Sequence, residues 1–274
     1  MALKDITLGQ YFPGHSLVHR LDPRTKILAV VIYIVALFLA KSFVTYAIMF
    51  ALLALSVKVS TVPVKSLVRG MKPVVFILIF TAVLNLFYTP GEHVLFQVWI
   101  LTVTLEGVQN AFFMVIRILM LIAGTFLLTY TTSPILLTDG LESLLGPLKK
   151  IKVPVHELAM MMSIALRFIP TLIEETDKIM SAQRARGADF ESGNLVQRAK
   201  ALIPLLVPLF ISAFRRAEEL AVAMECRCYH GGEGRTRLRQ LKYAGKDWAV
   251  LVFFLVYGAV YLLTARTYYK IVER

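Results

Sequence analysis

The chain opens with long apolar runs punctuated by short basic clusters, and that alternation sets the predicted elements. Ile27 to Val57 is apolar apart from Lys41. As one straight helix it would be about 46 Å long, against a hydrocarbon core of about 30 Å, so one span overshoots and two are short. Arg20, Arg24 and Lys26 precede the run, and Lys58, Lys65, Arg69 and Lys72 follow it. Basic flanks are held on the cytoplasmic side, so both ends belong there, and the pattern predicts a hairpin of two short spans turning near Ala40-Lys41-Ser42. Val74 to Tyr88 predicts a third span, stopped by Thr89-Pro90-Gly91, and Gly107 to Tyr130 a fourth, interrupted by Arg117. The short apolar stretch His93 to Leu105 reads as an external re-entrant or interfacial segment. Val250 to Ala265 predicts the last span. Five crossings from a cytoplasmic N-terminus put the C-terminus outside, which the tail bases Arg266, Lys270 and Arg274 oppose.

From Ser133 the periodicity changes. Ser133-Pro134 starts a short helix ending near Gly146-Pro147, followed by Lys149, Lys150 and Lys152. Pro154 opens a longer one, in which Leu158, Met162, Ala165, Ile169, Leu172 and Met180 recur at helical spacing. Glu157, Arg167, Glu174, Asp177 and Lys178 take the opposite side. This is the pattern of an amphipathic helix and not of a span. After a loop over Asp189 to Asn194 comes a second long helix, with kinks expected at Pro204 and Pro208 and a polar face of Arg215, Arg216, Glu218 and Glu219. Its uncharged stretch, Ala201 to Phe214, is shorter than the ~20 residues of a crossing, so it is expected to lie on or under the bilayer. The expected organisation is all-α: an N-terminal transmembrane bundle of about four spans over 1–131, a cytoplasmic helical module over 132–247 and a C-terminal transmembrane helix over 248–274.

Composition supports a membrane class. Hydrophobic residues make up 57% and charged residues only 18%, too apolar for an ordinary soluble domain. The net charge is +12, and between Thr132 and Asp247 lie 17 of the 30 Lys and Arg with 13 of the 18 acids, so the middle third is a water-facing module. Such mixing, beside apolar spans, argues against nucleic acid as the partner. Cys226 and Cys228, the only cysteines, are too close for a structural disulfide and suit a reducing cytosol. Met1 to Leu21 shows no apolar core with a cleavage site, so no removable signal peptide is expected.

The candidate chemistry lies at two helix ends. Ala182-Gln183-Arg184-Ala185-Arg186-Gly187 closes one helix, and Met224-Glu225-Cys226-Arg227-Cys228-Tyr229, with Gly231 just beyond, closes the other. Arginine in a last turn suits the negative end of the helix dipole, and a following glycine supplies a left-handed cap. Arg186 and Arg227 are therefore candidates to enter grooves on partners and pair bidentately with carboxylates. Small neighbours at Ala185, Gly187, Cys226 and Cys228 permit close approach. The plainer alternative is two well-capped helix ends with solvated arginines. Arg184 lies about 200° from Arg186 and faces elsewhere. Met160-Met161-Met162 reads either as a sliding surface or as core filling.

Other signals are weaker. Cys226, Cys228 and His230 invite a metal reading, but zinc sites take four ligands in wider-spaced pairs and no second cluster exists. Gly231-Gly232-Glu233-Gly234-Arg235-Thr236 lacks the spacing, and the preceding strand, of a phosphate-binding loop, so no cofactor is expected on this chain. Arg117 has no acidic partner in its own span and is expected to snorkel toward the Gly107 end.

The chain resembles the transmembrane T component of energy-coupling factor (ECF) transporters, the family that includes the membrane subunit of cobalt importers. The resemblance rests on Leu21-Asp22-Pro23-Arg24-Thr25-Lys26, Thr131-Thr132-Ser133-Pro134 with Leu137-Thr138-Asp139-Gly140-Leu141-Glu142, and Leu166-Arg167-Phe168-Ile169-Pro170. Ala182 to Asp189 and Gly231 to Thr236 complete it. It is nearest the type in which one T component serves several vitamin-binding subunits. It implies an L-shaped fold of transmembrane bundle plus coupling helices, in which Ala185-Arg186-Gly187 and Cys226-Arg227-Cys228 dock into two ATP-binding-cassette (ABC) ATPases. The second tip departs from the family pattern, with Cys where Ala and Gly are usual. Arg184, Met160, Met161, Met162 and Arg167 would support the coupling surface.

The implied function is that of a non-catalytic subunit in the bacterial cell membrane. It would pass ATP-driven motion to a separate substrate-binding membrane subunit for uptake of a vitamin or other micronutrient, with ATP and Mg held by the partner ATPases. The rivals are a self-contained secondary transporter, which wants midplane charges and paired broken helices, and an intramembrane enzyme, for which the spans offer no nucleophile, carboxylate pair or His cluster.

Overall fold

The computed structural model describes residues 11–40, 42–89, 94–98, 101–190, 194–232 and 240–272. The elements run α1 (Pro23–Leu39), α2 (Phe43–Ser60), α3 (Val64–Tyr88), β1 (Val94–Val98), β2 (Leu101–Thr104), α4 (Leu105–Thr131), α5 (Pro134–Leu145), a 3₁₀ segment (Gly146–Ile151), α6 (Val155–Ala185), α7 (Leu195–Ala201), α8 (Ile203–Cys226) and α9 (Gly245–Val272). Among the described residues five helical stretches are long and apolar enough to cross a membrane: α2, most of α3, α4, α6 and Val196–Cys226. The chain is a helical multi-pass membrane protein.

It divides into two compact units. One comprises Gln10–Gly140 with Leu241–Arg274; the other is built on Leu141–Gln240.

In the first unit the apolar stretch from Ile27 breaks into α1 and α2, as the basic flanks predict. Ala40 ends α1 in an extended conformation and Ser42 caps α2; Lys41, at the expected turn, lies outside the described residues. At 17 and 18 residues, the two helices are about 26 and 27 Å long, each close to the thickness of the hydrocarbon core. The core they share joins Tyr33, Ala36 and Leu37 of α1, and its C-cap Ala40, to Tyr46, Met49 and Leu53 of α2 and Met120 of α4. It is narrow. Phe76, Ile77, Ile79 and Phe80 of α3 are all more than half exposed, the expected finish for a face that meets lipid, which is as apolar as the side chains themselves.

One sequence expectation needs correction in this unit, and two others gain detail. The third span was expected from Val74, but α3 begins at Val64 and carries Pro73 inside it. A transmembrane helix tolerates proline where neighbours re-satisfy the freed backbone, and α3 packs along α4. The described parts of the His93 to Leu105 stretch, expected as a re-entrant or interfacial segment, form a β-hairpin: β1 and β2 pair antiparallel, with Val98 opposite Leu101 and Gln97 opposite Thr102, and an irregularity between Val94 and Phe96. The alternation through Phe96-Gln97-Val98 and Thr102-Val103-Thr104 carries that strand signal. Pro90, Gly91 and His93 lie outside the described residues. Arg117, expected to snorkel, is held by protein groups. Its Nε donates to the Tyr46 hydroxyl at 2.8 Å and its Nη2 to the Ala40 carbonyl at 3.0 Å, so the cation closes the break between α1 and α2.

The second unit is built on the pairing of α6 with α8. Pro154 stands at the N-cap of α6, as expected, and Pro170 lies within it. The second predicted helix is two, α7 and α8. Pro204 falls in the first turn of α8, where a missing N–H costs nothing, so only Pro208 is interior. The length argument that Ala201 to Phe214 is too short to cross also fails, because the helical stretch around it runs over 31 residues. Length and composition alone place α6 and α7–α8 in the same class as α2, α3 and α4.

Candidate functional site: two arginine-capped helix ends

Both candidate arginines occupy the same position in the same backbone motif. Arg186 is the C-cap residue of α6, and Gly187 follows with φ +89°. The Gly187 N–H donates to the Arg184 carbonyl and the Ala188 N–H to that of Gln183, each at 3.0 Å, which is the paired closure of a Schellman cap. Arg227 is the C-cap residue of α8. The Cys228 N–H donates to Glu225 at 2.8 Å and the Tyr229 N–H to Met224 at 3.0 Å. The residue in the left-handed region here is Cys228, φ +55°, and not the glycine expected from the sequence; Gly231 is also left-handed but lies three residues further on. Ala185, Arg186, Gly187, Cys226, Arg227 and Cys228 are all exposed.

Three contacts order the two helices. At one end Gln183 Nε2 donates to the Pro204 carbonyl at 3.5 Å. In the middle the Glu175 carboxylate of α6 accepts from Ser212 Oγ and, at 2.8 Å, from Arg216 Nη2 of α8. At the other end Gly232 lies on the His156 ring, where an added Cβ would come within 2.5 Å of Cδ2. As numbers fall along α6 they rise along α8, so the pair runs antiparallel. Arg186 lies 11 residues beyond Glu175, and Arg227 lies 11 beyond Arg216 in the opposite direction. At 1.5 Å per residue the two tips stand on the order of 30 Å apart, at opposite ends of the braced pair.

Neither the Arg186 nor the Arg227 guanidinium meets a hydrogen-bond acceptor or carboxylate among the described residues. Arg184 is exposed but engaged. Met161 and Met162 are 55% and 49% exposed, so they form surface and not core, while Met160 is half-buried and Arg167 is exposed. His230 Nδ1 bonds the Cys228 carbonyl at 2.8 Å. No group of three His, Cys, Asp or Glu is gathered for a metal ion among the described residues. Glu233 to Thr236 of the glycine-rich motif lie outside them.

The sequence reading missed the residues that fix this framework. Glu175, Ser212 and Arg216 were not read as a brace, although Ser212 and Arg216 are spaced i,i+4 and so share one face of α8. His156 Nδ1 lies 2.9 Å from Glu142 Oε1, joining the end of α5 to the start of α6. In the first unit, the Asp22 carboxylate accepts the Arg24 N–H at 2.9 Å, capping α1, and pairs with the Arg24 guanidinium. That guanidinium lies 3.9 Å over the Tyr243 ring. Asp247, only 2% exposed, accepts the N–H groups of Asp22 and Ala244, each at 2.8 Å, so the cap of α9 is also the lock on the start of α1. Lys26 Nζ donates to the carbonyls of His19 and Thr131 and to Thr132 Oγ1. Two segments that look unrelated along the chain, Leu21 to Lys26 and Thr131 to Pro134, are thus one hydrogen-bonded structure.

The five long apolar helical stretches define a helical multi-pass membrane protein. The CbiQ family model, described as Cobalt transport protein, matches residues 14–238. The chain belongs to this family. It is 56% identical over 263 residues to the energy-coupling factor transporter transmembrane protein EcfT of Clostridium kluyveri, covering 96% of this chain and 97% of that protein. To the proteins of the same name from Thermosediminibacter oceani and Bacillus subtilis it is 56% identical over 250 residues and 52% over 258. Those alignments cover 91% and 94% of this chain and 94% and 97% of theirs.

Proposed function

We propose that this chain is the transmembrane energy-coupling subunit of an ECF-type ABC importer. Arg186 and Arg227 each dock one of two ATPase subunits, and the α6–α8 pair carries the motion of those subunits to a separate substrate-binding membrane subunit for uptake of a vitamin or other micronutrient. The observation that carries this reading is the equivalence of the two tips: one motif, built twice, at opposite ends of a braced helix pair. Two like motors need two like grips, and a span of about 30 Å gives each room. Exposed Met161 and Met162 on α6, with Leu206, Phe210 and Phe214 on α8, offer the apolar surface for the membrane partner.

In this reading α6 and α8 lie on the cytoplasmic side despite their length. A full crossing by α8 alone would put Arg186 and Arg227 on different sides of the bilayer, and α6 carries seven charged residues from Glu157 to Arg184. ATP and its Mg are held by the ATPases, and this chain supplies no catalytic group. A self-contained secondary transporter finds less support, because Arg117, the candidate midplane charge, is spent on Tyr46 and the Ala40 carbonyl.

The test is co-purification. Arg186→Glu with Arg227→Glu is expected to abolish capture of the ATPases, each desolvated charge pair being worth about 2–5 kcal/mol. Either change alone should leave partial capture, since two contacts grip together. Capture at the wild-type level by the double variant overturns the reading.

A further inference from the structure

The 3₁₀ segment between α5 and α6 presents an apolar ridge between cations. Gly146–Ile151 turns once in about three residues, so side chains three apart stand one above the other. Leu145, at its N-cap, Leu148 and Ile151 therefore share one face, and all three are exposed, Ile151 at 76%. Lys149 and Lys150 fall about 120° to either side of that face. Lys152 closes the segment, its N–H donating to the Lys149 carbonyl at 3.0 Å. The three lysines are exposed as well.

Charge fixes the sign of what meets this patch. No Asp or Glu lies from Ser143 to His156. Of the two bordering acids, Glu142 is engaged by His156 at 2.9 Å, which leaves Glu157 exposed at the far border. A partner must be apolar where it meets the ridge and anionic where it meets the lysines. An acidic protein groove and an anionic lipid surface both satisfy that, and side-chain type decides between them. The cores of protein interfaces are enriched in aromatic residues and Arg and depleted of Lys, whereas residues 145–152 hold three Lys, no Arg and no aromatic residue. Lysines beside Leu and Ile suit a headgroup layer, where the aliphatic chains enter the acyl boundary and the ammonium groups snorkel back to phosphate.

The chain also tethers the patch within reach of a bilayer. Gly140 of α5 rests on the start of α1, where a Cβ would stand 3.1 Å from Pro23 Cβ and 3.2 Å from Ile27 Cδ1. That end of α1 carries Arg20, Arg24 and Lys26, the basic flank that marks the cytoplasmic surface. Leu145 is about 8 Å further along α5, and Ile151 about 12 Å of 3₁₀ rise beyond it. We propose that residues 145–152 are an interfacial anchor: Leu145, Leu148 and Ile151 dip into the cytoplasmic leaflet while Lys149, Lys150 and Lys152 bind the phosphates of anionic phospholipids. The anchor is independent of what the two arginine tips grip.

The test is photo-crosslinking in the full chain. With p-benzoylphenylalanine in place of Ile151, the protein is purified with the subunits that accompany it and placed in nanodiscs of phosphatidylcholine with or without phosphatidylglycerol. After irradiation the adducts are identified by mass spectrometry. Phospholipid adducts are expected in the discs that contain phosphatidylglycerol, with a much lower yield in those that lack it. Lys149→Gln, Lys150→Gln and Lys152→Gln together should bring the yield down to the phosphatidylcholine level, each lysine contributing about fivefold to surface affinity. Leu145→Gln with Leu148→Gln, both at exposed positions, should abolish lipid adducts in either disc. Equal yield in the two discs, or an unchanged yield in the triple lysine variant, overturns the proposal. So do adducts to an accompanying protein subunit in place of lipid, which would make the patch a protein interface.

Discussion

The two tips share a motif but differ at its left-handed position, Gly187 in one and Cys228 in the other, and that difference gives a prediction of opposite sign at each. Gly187 sits at φ +89° and Cys228 at φ +55°, both in the left-handed region that an L side chain enters at a cost of roughly 1–2 kcal/mol. A Cβ added at Gly187 meets nothing within 4 Å, so Gly187→Ala carries no steric cost beyond the backbone. Alanine also narrows the unfolded ensemble, which returns about 0.4–1 kcal/mol, leaving a net loss near 1 kcal/mol. Cys228→Gly runs the same cycle backwards and should gain a similar amount. The assay is amide hydrogen exchange at the residues that close each cap, 187 and 188 at one tip and 228 and 229 at the other. A change of ~1 kcal/mol in local opening is about a fivefold change in protection. Gly187→Ala should speed exchange at the first tip alone, and Cys228→Gly should slow it at the second alone. Equal exchange in all three proteins, or a shift of the same sign at both tips, would refute the claim that Cys228 pays a conformational cost that Gly187 avoids.

Three further outcomes follow from the contacts between helices. Glu175→Ala removes both acceptors of the α6–α8 brace at a partly buried pair and should cost about 1–2 kcal/mol, read as a lowered midpoint of thermal unfolding in detergent. Partial recovery in Glu175→Arg with Arg216→Glu would separate the charge pair from local packing. Asp247→Ala orphans the N–H groups of Asp22 and Ala244 and should cost about 2–3 kcal/mol, whereas Asp247→Asn, which keeps an acceptor, should cost less; equal loss in both would refute the cap. Arg117→Leu leaves the Ala40 carbonyl and Tyr46 hydroxyl without their donor inside the bundle. A cost of about 1–3 kcal/mol is expected, checked by the same unfolding measurement, and tryptic nicking at Lys41 should rise as the α1–α2 break loosens.

The antiparallel brace also bears on the proposed coupling role. In that proposal, a pair held at both ends and at its middle would transmit a displacement of one tip along its length. Pro170 and Pro208 are the places where such a pair would yield, since each removes one backbone hydrogen bond from its helix interior.

Local chemistry was legible along the chain. Apolar runs between basic clusters marked the α1–α2 hairpin, because a break in the middle of 31 apolar residues follows from bilayer thickness and flanking charge alone. Pro134, Pro154 and Gly187 marked helix ends, because a missing N–H and a missing Cβ act on their own residue whatever surrounds them. The arginine tips were visible for the same reason. What the chain could not show were pairings between distant segments. Arg117 looked like a charge in need of water until Ala40 and Tyr46, over 70 residues away, were found beside it. Lys26 looked like a flank residue until Thr131 and Thr132 enclosed it. Asp247 looked like one acid among many and is the cap that joins the last helix to the first. Propensity and hydropathy are properties of neighbours in sequence; the partner of a buried charge is chosen by packing, and only the folded bundle brings it within 3 Å.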